Sequence, residues 1–94
     1  MWAVVVTVDI GEEVESKEAT ERLDREVVPA AKAMPGFKGG VWIRHEGRRT
    51  GMGIVWFESE QAAREMSGSV IEGGDAGGGA TIRGVQVYEV LTSA

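Results

Sequence analysis

The chain has 94 residues, of which 43% are hydrophobic and 27% are charged, and a formal net charge of −5. This length predicts a single domain over residues 1–94, the balanced composition argues against disorder, and the acidic charge argues against a nucleic-acid partner. The absence of cysteine excludes a disulfide framework and a thiolate metal site and fits a cytoplasmic protein, while no apolar run approaches the roughly 20 residues that a membrane span needs.

The first predicted element is a strand over residues 2–10 that is apolar on both faces. Its even positions are Trp2, Val4, Val6, Val8 and Ile10, and its odd positions begin with Ala3 and Val5. Because side chains alternate between the two faces of a strand, this segment requires cover on both sides. Residues 54–57 and 85–91 repeat the pattern in two further predicted strands.

A helix follows, beginning near Ser16, whose residue type favours the N-cap position. Its apolar stripe has the spacing of one helix face and consists of Ala19, Leu23, Val27, Ala30, Ala31 and Met34. Pro29 lacks the N–H that would bond to the carbonyl of Arg25, so we expect a kink there, or a break with Pro29 opening a last short turn. Pro35 and Gly36 end the helix.

Two strands, over residues 40–45 and 51–58, come next and are joined by a hairpin turn at residues 46–49. Ser59 is predicted to cap a second helix over residues 60–71, because its hydroxyl can accept a bond from a free backbone N–H of the first turn.

The glycine-rich segment 73–79 lacks the Gly-Lys-Ser/Thr ending of a phosphate-binding loop, so we interpret it as a flexible connector. It leads to the last predicted strand, residues 81–91. The resulting order βαββαβ predicts a ferredoxin-like α+β fold with a four-stranded antiparallel sheet. Right-handed crossovers place both helices on one face of this sheet, which leaves the other face open.

An open apolar face of this size exceeds what a soluble monomer usually exposes. Packing two such sheets face to face would hide both and would enclose a barrel-like interior. We therefore expect a homodimer joined through its sheet faces, a dimeric α/β barrel.

The charge is unevenly distributed along the chain. Residues 37–57 contain four basic residues and one acidic residue, a net charge of +3 within an otherwise acidic protein. This basic segment is either a solvated hairpin tip or a patch that meets an anionic ligand or an acidic surface of a partner subunit.

Three passages resemble those of a known group of proteins. They are the helix-to-strand passage at residues 26–41 with its Pro35-Gly36-Phe37 turn, the Phe57-Glu58-Ser59-Glu60 helix cap, and the last strand at residues 85–90. Together they resemble dimeric α/β-barrel proteins similar to antibiotic-biosynthesis monooxygenases. The resemblance implies a homodimer with an internal pocket. Some members of that group oxidise aromatic polyketides or quinols with O2 and no cofactor, and others degrade haem.

The catalytic residues of that group do not carry over to this chain. Its cofactor-free monooxygenases and haem degraders rely on an asparagine, and this chain has none. The haem degraders also use a histidine on the second helix, whereas His45 is the only histidine here and residues 59–72 contain none. We therefore expect no haem degradation and no cofactor, while a monooxygenase with a rearranged site remains open.

The aromatic residues are the main candidates for ligand binding. Trp56 is the first choice, because its strand is apolar on both faces, and Trp42 is the second; either could instead pack in the core or in a dimer interface. Tyr88 could donate a hydrogen bond into a cavity, or it could cover the core with its hydroxyl at the surface.

His45 and Arg44 are the polar candidates. Histidine is the residue type suited to proton transfer near neutral pH, so His45 could act as a general base, although a histidine beside a turn is more often solvated. Arg44 points to the opposite face and could hold a ligand carboxylate or enolate if that face is the cavity. No metal site is expected from one histidine and no cysteine.

These observations predict a protein that binds a small hydrophobic or aromatic ligand in a pocket lined by the sheet. One alternative is a cofactor-independent monooxygenase, an oxidoreductase acting on an aromatic polyketide or quinol-type substrate, with His45 as the base. The other is a purely structural or regulatory dimer with a filled interior.

Overall fold

The helices pack on one face of an antiparallel sheet in the computed structural model, which describes residues 1–77 and 80–94. Within these residues the sheet has five strands in the spatial order β2-β3-β1-β5-β4. In chain order the elements are β1 (Trp2–Ile10), α1 (Ser16–Arg22), a π-helical turn (Leu23–Val27), α2 (Val28–Lys32), β2 (Phe37–Arg44), β3 (Thr50–Phe57), α3 (Glu60–Ser69), β4 (Asp75–Gly77) and β5 (Ala80–Glu89).

The central strand is β1, as its two apolar faces predict. It pairs with β3 on one side and β5 on the other, so that Val4 lies opposite Val55 and Val87. Val4 and Phe57 are fully buried and form the centre of the hydrophobic core. The predicted bounds of β1, residues 2–10, are confirmed.

The first helix changes its hydrogen-bond pattern before Pro29. The N–H of Val28 bonds to the carbonyl of Leu23, five residues earlier, which makes residues 23–27 a π-helical turn. Pro29 then lies in the first turn of α2, where its missing N–H has no intrahelical partner to lose. The chain nevertheless stays helical from Ser16 to Lys32, so Pro29 is accommodated by the change in hydrogen-bond pattern before it and the expected break does not occur.

The predicted N-caps have different outcomes. Ser59 caps α3, since its Oγ accepts from the N–H of Ala62 at 3.1 Å. Ser16 does not cap α1: it is the first helical residue, and Glu15 occupies the cap position without a side-chain bond. The hydroxyl of Ser16 instead accepts a hydrogen bond from Arg44.

The sheet has one strand more than the four predicted. The segment interpreted as a flexible connector, residues 73–79, contains β4, which pairs Asp75 with Thr81 and Gly77 with Ala80; residues 78–79 lie outside the described residues. Pairing with β5 satisfies backbone groups that a loop would leave to water, and the N–H of Gly77 also donates to Asp75 Oδ1 at 2.7 Å. The alternation of apolar residues along the sequence does not reveal such a short, glycine-rich strand.

The two faces of the sheet have different surroundings. The helices cover the face of Val4, Val6, Val55 and Phe57. The alternate residues of the long strands form what we call the open face, which includes Val5, Val41, Ile43, Met52, Ile54, Trp56 and Tyr88. In the described part of the chain, no helix is both long and apolar enough to cross a membrane.

Candidate ligand cavity

A cavity of about 470 Å³ lies between the sheet and the helices. Its floor runs across the sheet and includes Val6, Val8 and Gly53, and its roof includes Leu23 and Val27 from the π-helical turn. Part of the apolar stripe of the first helix thus faces this empty space and does not pack directly in the core. Two small side chains of this stripe, Ala30 and Ala31, line the cavity, where a larger residue would occupy its space.

Trp42 lies flat on two glycines at the β2 edge of the cavity. A Cβ added at Gly53 would lie 2.9 Å from its Nε1 and 3.0 Å from its Cδ1, and a Cβ added at Gly40 would lie 3.0 Å from its Cη2. The five-membered ring therefore covers Gly53 on the neighbouring strand, and the six-membered ring covers Gly40. Because the indole needs this space, glycine is required at both positions.

Arg44 lines the same cavity, but its guanidinium is already engaged. It makes five hydrogen bonds, all to uncharged acceptors: the carbonyls of Gly11, Val14 and Arg48, and Oγ of Ser16. Three of these bonds join the end of β2 to the segment between β1 and the start of α1, and the other two bind the hairpin turn at Arg48. A ligand carboxylate would have to displace one of these acceptors, so Arg44 contributes a fixed positive charge rather than free donors.

The basic segment faces an acidic loop of the same chain. Arg49 forms an ion pair with Glu12, and Arg48 lies 4.0 Å from a carboxylate oxygen of Glu15. Arg48 Nη2 also donates to the carbonyl of Val14 at 3.0 Å. The excess positive charge of this segment is therefore partly matched by acidic residues of the same chain. Arg44 binds the same loop through its carbonyls, at one end of the cavity.

The sequence-derived candidates are divided among three places. Trp42 and Arg44 border the cavity. Trp56 and Tyr88 lie on the open face, on either side of Ala3, which they bury. His45 is exposed in the β2–β3 turn, where its Nδ1 accepts from the N–H of Gly47 at 2.9 Å; it is not part of the cavity wall.

Further polar residues at the cavity were not singled out from the sequence. Ser16 and Thr20 border it from α1, and Glu26 and Asp75 border it near the β4 edge. These residues come together only because the helices pack on the sheet in this arrangement, and no local pattern in the sequence indicates that arrangement. In residues 1–77 and 80–94, no three His, Cys, Asp or Glu side chains form a group that could hold a metal ion.

Comparisons with known proteins reveal a similar structure but no similar sequence. No protein-family model matches the chain, and no curated protein matches it significantly. The chain is similar in structure to MhuD, in a crystal structure of a mutant with two manganese protoporphyrin IX bound per active site. The TM-score is 0.61 at 15% sequence identity, and the match covers 100% of this chain and 98% of the other. This likeness shows a shared fold and supports the fold that the resemblance to antibiotic-biosynthesis monooxygenases implies.

Proposed function

We propose that this protein binds a small hydrophobic, aromatic ligand in the cavity between its sheet and its helices. The observation that carries the proposal is the cavity itself, whose volume of about 470 Å³ lies in the range of about 300–1,000 Å³ that is usual for ligand pockets. Its walls are mostly apolar, and Trp42 gives them an aromatic surface. The similar MhuD structure, which holds planar porphyrins in its active site, supports a ligand of this general shape.

The cavity favours ligand binding over the two alternatives. A purely structural dimer with a filled interior does not require an empty space of this size beneath the helices. A monooxygenase requires a base beside the substrate, and His45, the base considered from the sequence, lies in the hairpin turn instead. Binding requires neither a base nor a cofactor.

The test is ligand binding with a cavity-filling variant. The probes are 8-anilinonaphthalene-1-sulfonate, followed by its fluorescence, and fluorene, followed by calorimetry. Ala30 borders the cavity whereas Ala33, also exposed and nearby in the chain, does not. We expect Ala30→Trp to weaken binding of both probes by at least about tenfold, because the indole occupies the ligand's space, and Ala33→Trp to leave binding unchanged. A wild-type protein that binds neither probe, or equal effects of the two variants, would refute the proposal.

We also propose that the protein is a homodimer whose subunits meet through the open faces of their sheets. Four large side chains on this face are well exposed in the single chain: Val41 at 44%, Ile43 at 52%, Met52 at 40% and Tyr88 at 54%. Val41, Ile43 and Met52 form an apolar area across β2 and β3 together with Ile54, since Ile43 lies opposite Met52 and Val41 opposite Ile54. A second copy supplies an equally flat and apolar surface, so each face can cover the other.

Sedimentation velocity from 1 to 100 µM tests the dimer independently of ligand binding. The single chain has a mass of 10.1 kDa, and we expect the wild-type protein to sediment with twice that mass. Val41→Glu places a charge in the proposed interface, at a residue that does not border the cavity, and should give monomers. Ile71→Glu, at an exposed position outside the sheet, should remain dimeric. A wild-type protein that is monomeric throughout this range removes the dimer proposal and leaves the cavity proposal standing.

A further inference from the structure

The indole N–H of Trp42 is a hydrogen-bond donor for which residues 1–77 and 80–94 supply no acceptor. None of the side-chain hydrogen bonds among residues 1–77 and 80–94 uses it. Every fully buried side-chain nitrogen or oxygen in the same residues has a partner, so the Trp42 nitrogen must be accessible. Since Trp42 lines the cavity, this accessible donor belongs to a residue of the cavity wall.

The position of this donor is fixed by the backbone beneath it. The pyrrole edge, with Nε1 and Cδ1, lies directly over Gly53, and the benzene edge lies over Gly40. The strands thus cover one face of the indole, and the uncovered part of the ring lines the cavity. Because the N–H lies in the plane of the indole, an acceptor has to approach it in that plane, from beyond the pyrrole edge. A planar ligand that places its edge there can accept the bond, whereas a ligand stacked on the face of the ring cannot.

We propose that Trp42 determines ligand specificity, selecting planar aromatic molecules that carry a hydrogen-bond acceptor on their edge over hydrocarbons of the same shape. This inference rests on the proposed ligand cavity and adds the chemical class of the ligand. The apolar walls bind the ring system without discrimination, whereas the N–H loses its bond to water when a ligand covers it. A ligand with an acceptor replaces that bond, and a hydrocarbon leaves the donor unpaired.

Fluorene and fluorenone form the test pair, because both are planar three-ring molecules and only fluorenone has a carbonyl oxygen. Calorimetric titration should show that wild-type protein binds fluorenone about fivefold more tightly than fluorene, the effect of one neutral hydrogen bond. Trp42→Phe retains an aromatic ring and removes the donor, so this variant should bind fluorenone and fluorene with about equal affinity. Trp2→Phe is the matched control, since Trp2 packs against the core and does not border the cavity; it should retain the preference.

A second pair of variants tests the position of the donor without removing it. Gly53→Ala should displace the pyrrole edge, given the 2.9 Å approach to Nε1, whereas a Cβ at Gly84 in β5 would meet nothing within 4 Å. We expect Gly53→Ala to lose the preference for fluorenone and Gly84→Ala to retain it. In wild-type protein, fluorenone but not fluorene should shift the Trp42 Nε1–H resonance downfield in a ¹⁵N-correlated spectrum.

The outcomes separate this inference from the function on which it rests. If neither compound binds, the cavity proposal itself fails. If both bind with equal affinity, or if Trp42→Phe retains the preference for fluorenone, the cavity binds ligands but Trp42 does not select among them. An unchanged Trp42 Nε1–H resonance in the presence of bound fluorenone leads to the same conclusion, even if the variants fail to fold.

Discussion

Arg44 Nη1 donates to the carbonyl oxygen of Val14 at 2.8 Å, although the two residues are 30 positions apart in the chain. This bond connects the end of an edge strand to the loop that enters the first helix. Two more bonds from the same guanidinium, to Ser16 Oγ and the carbonyl of Gly11, reinforce the connection, and two others bind the carbonyl of Arg48 in the hairpin turn. The rigid, planar group suits this role because it presents all its donors in one plane. Arg44 is therefore a structural residue at one end of the cavity, and its loss has a measurable consequence.

We expect Arg44→Met to lower the free energy of unfolding by about 1–3 kcal/mol, since it removes the donors to the part-buried carbonyl of Arg48 and one of two donors to each of the Gly11 and Val14 carbonyls. Arg44→Lys should recover only part of this loss, because an ammonium group cannot reach all of these acceptors. Urea denaturation followed by circular dichroism measures both. Arg83→Met is the control: Arg83 forms only an exposed ion pair with Asp9, worth about 0.5 kcal/mol. Equal losses for Arg44→Met and Arg83→Met would contradict the structural role of Arg44.

Two glycines should respond to alanine in opposite directions. Gly36 has φ 80°, and a Cβ there would lie 3.0 Å from the Cβ of Ala62, whereas a Cβ at Gly68 in α3 would meet nothing within 4 Å. Gly36→Ala should therefore destabilise the protein by about 1–2 kcal/mol. Gly68→Ala should stabilise it by about 0.5–1 kcal/mol through its higher helix propensity. Thermal unfolding at one fixed protein concentration compares them; a stabilised Gly36→Ala would show that the turn tolerates a side chain.

The N-cap of α3 provides a third prediction. Ser59→Ala removes the bond from the Ala62 N–H to Oγ and should reduce the free energy of unfolding by about 1 kcal/mol. Ser59→Asp should restore most of it, because a carboxylate at the cap accepts the same bond. Ser93→Ala, beyond the last strand and exposed, is expected to have no effect. The interpretation fails if Ser59→Asp is as unstable as Ser59→Ala.

The core beneath α3 is the most sensitive part of the molecule to truncation. Phe57 is fully buried and packs with Val4 and Val55, so Phe57→Ala should cost about 3–5 kcal/mol. Ile71→Ala removes an exposed side chain and should change stability by less than about 0.5 kcal/mol. Urea midpoints measured at equal protein concentration test this contrast, because dimer dissociation would otherwise contribute to the apparent stability. A loss below about 1 kcal/mol for Phe57→Ala would mean that this region is loosely packed.

Much of the fold could be predicted because its signals are local. Alternation of apolar residues located β1 to the residue, and the absence of an N–H at Pro29 located the change within the first helix. The fifth strand could not be predicted, since Asp75–Gly77 has neither the apolar pattern nor the residue types of a strand. It forms because the edge of β5 supplies partners for its backbone.

The sequence by itself determined that Trp42 and Arg44 share one face of a strand, because strand side chains alternate; His45, predicted at the end of that strand, lies in the turn after it. Only the tertiary structure decided which face the helices cover, and therefore that Trp42 borders the cavity while Trp56 lies on the open face. The physical reason is register: Trp42 pairs with Gly53 and Trp56 with Gly39, and a shift of one residue would exchange the faces. The hydrogen bonds that Arg44 donates to the carbonyls of Gly11 and Val14 likewise depend on contacts between distant segments, which no local pattern encodes.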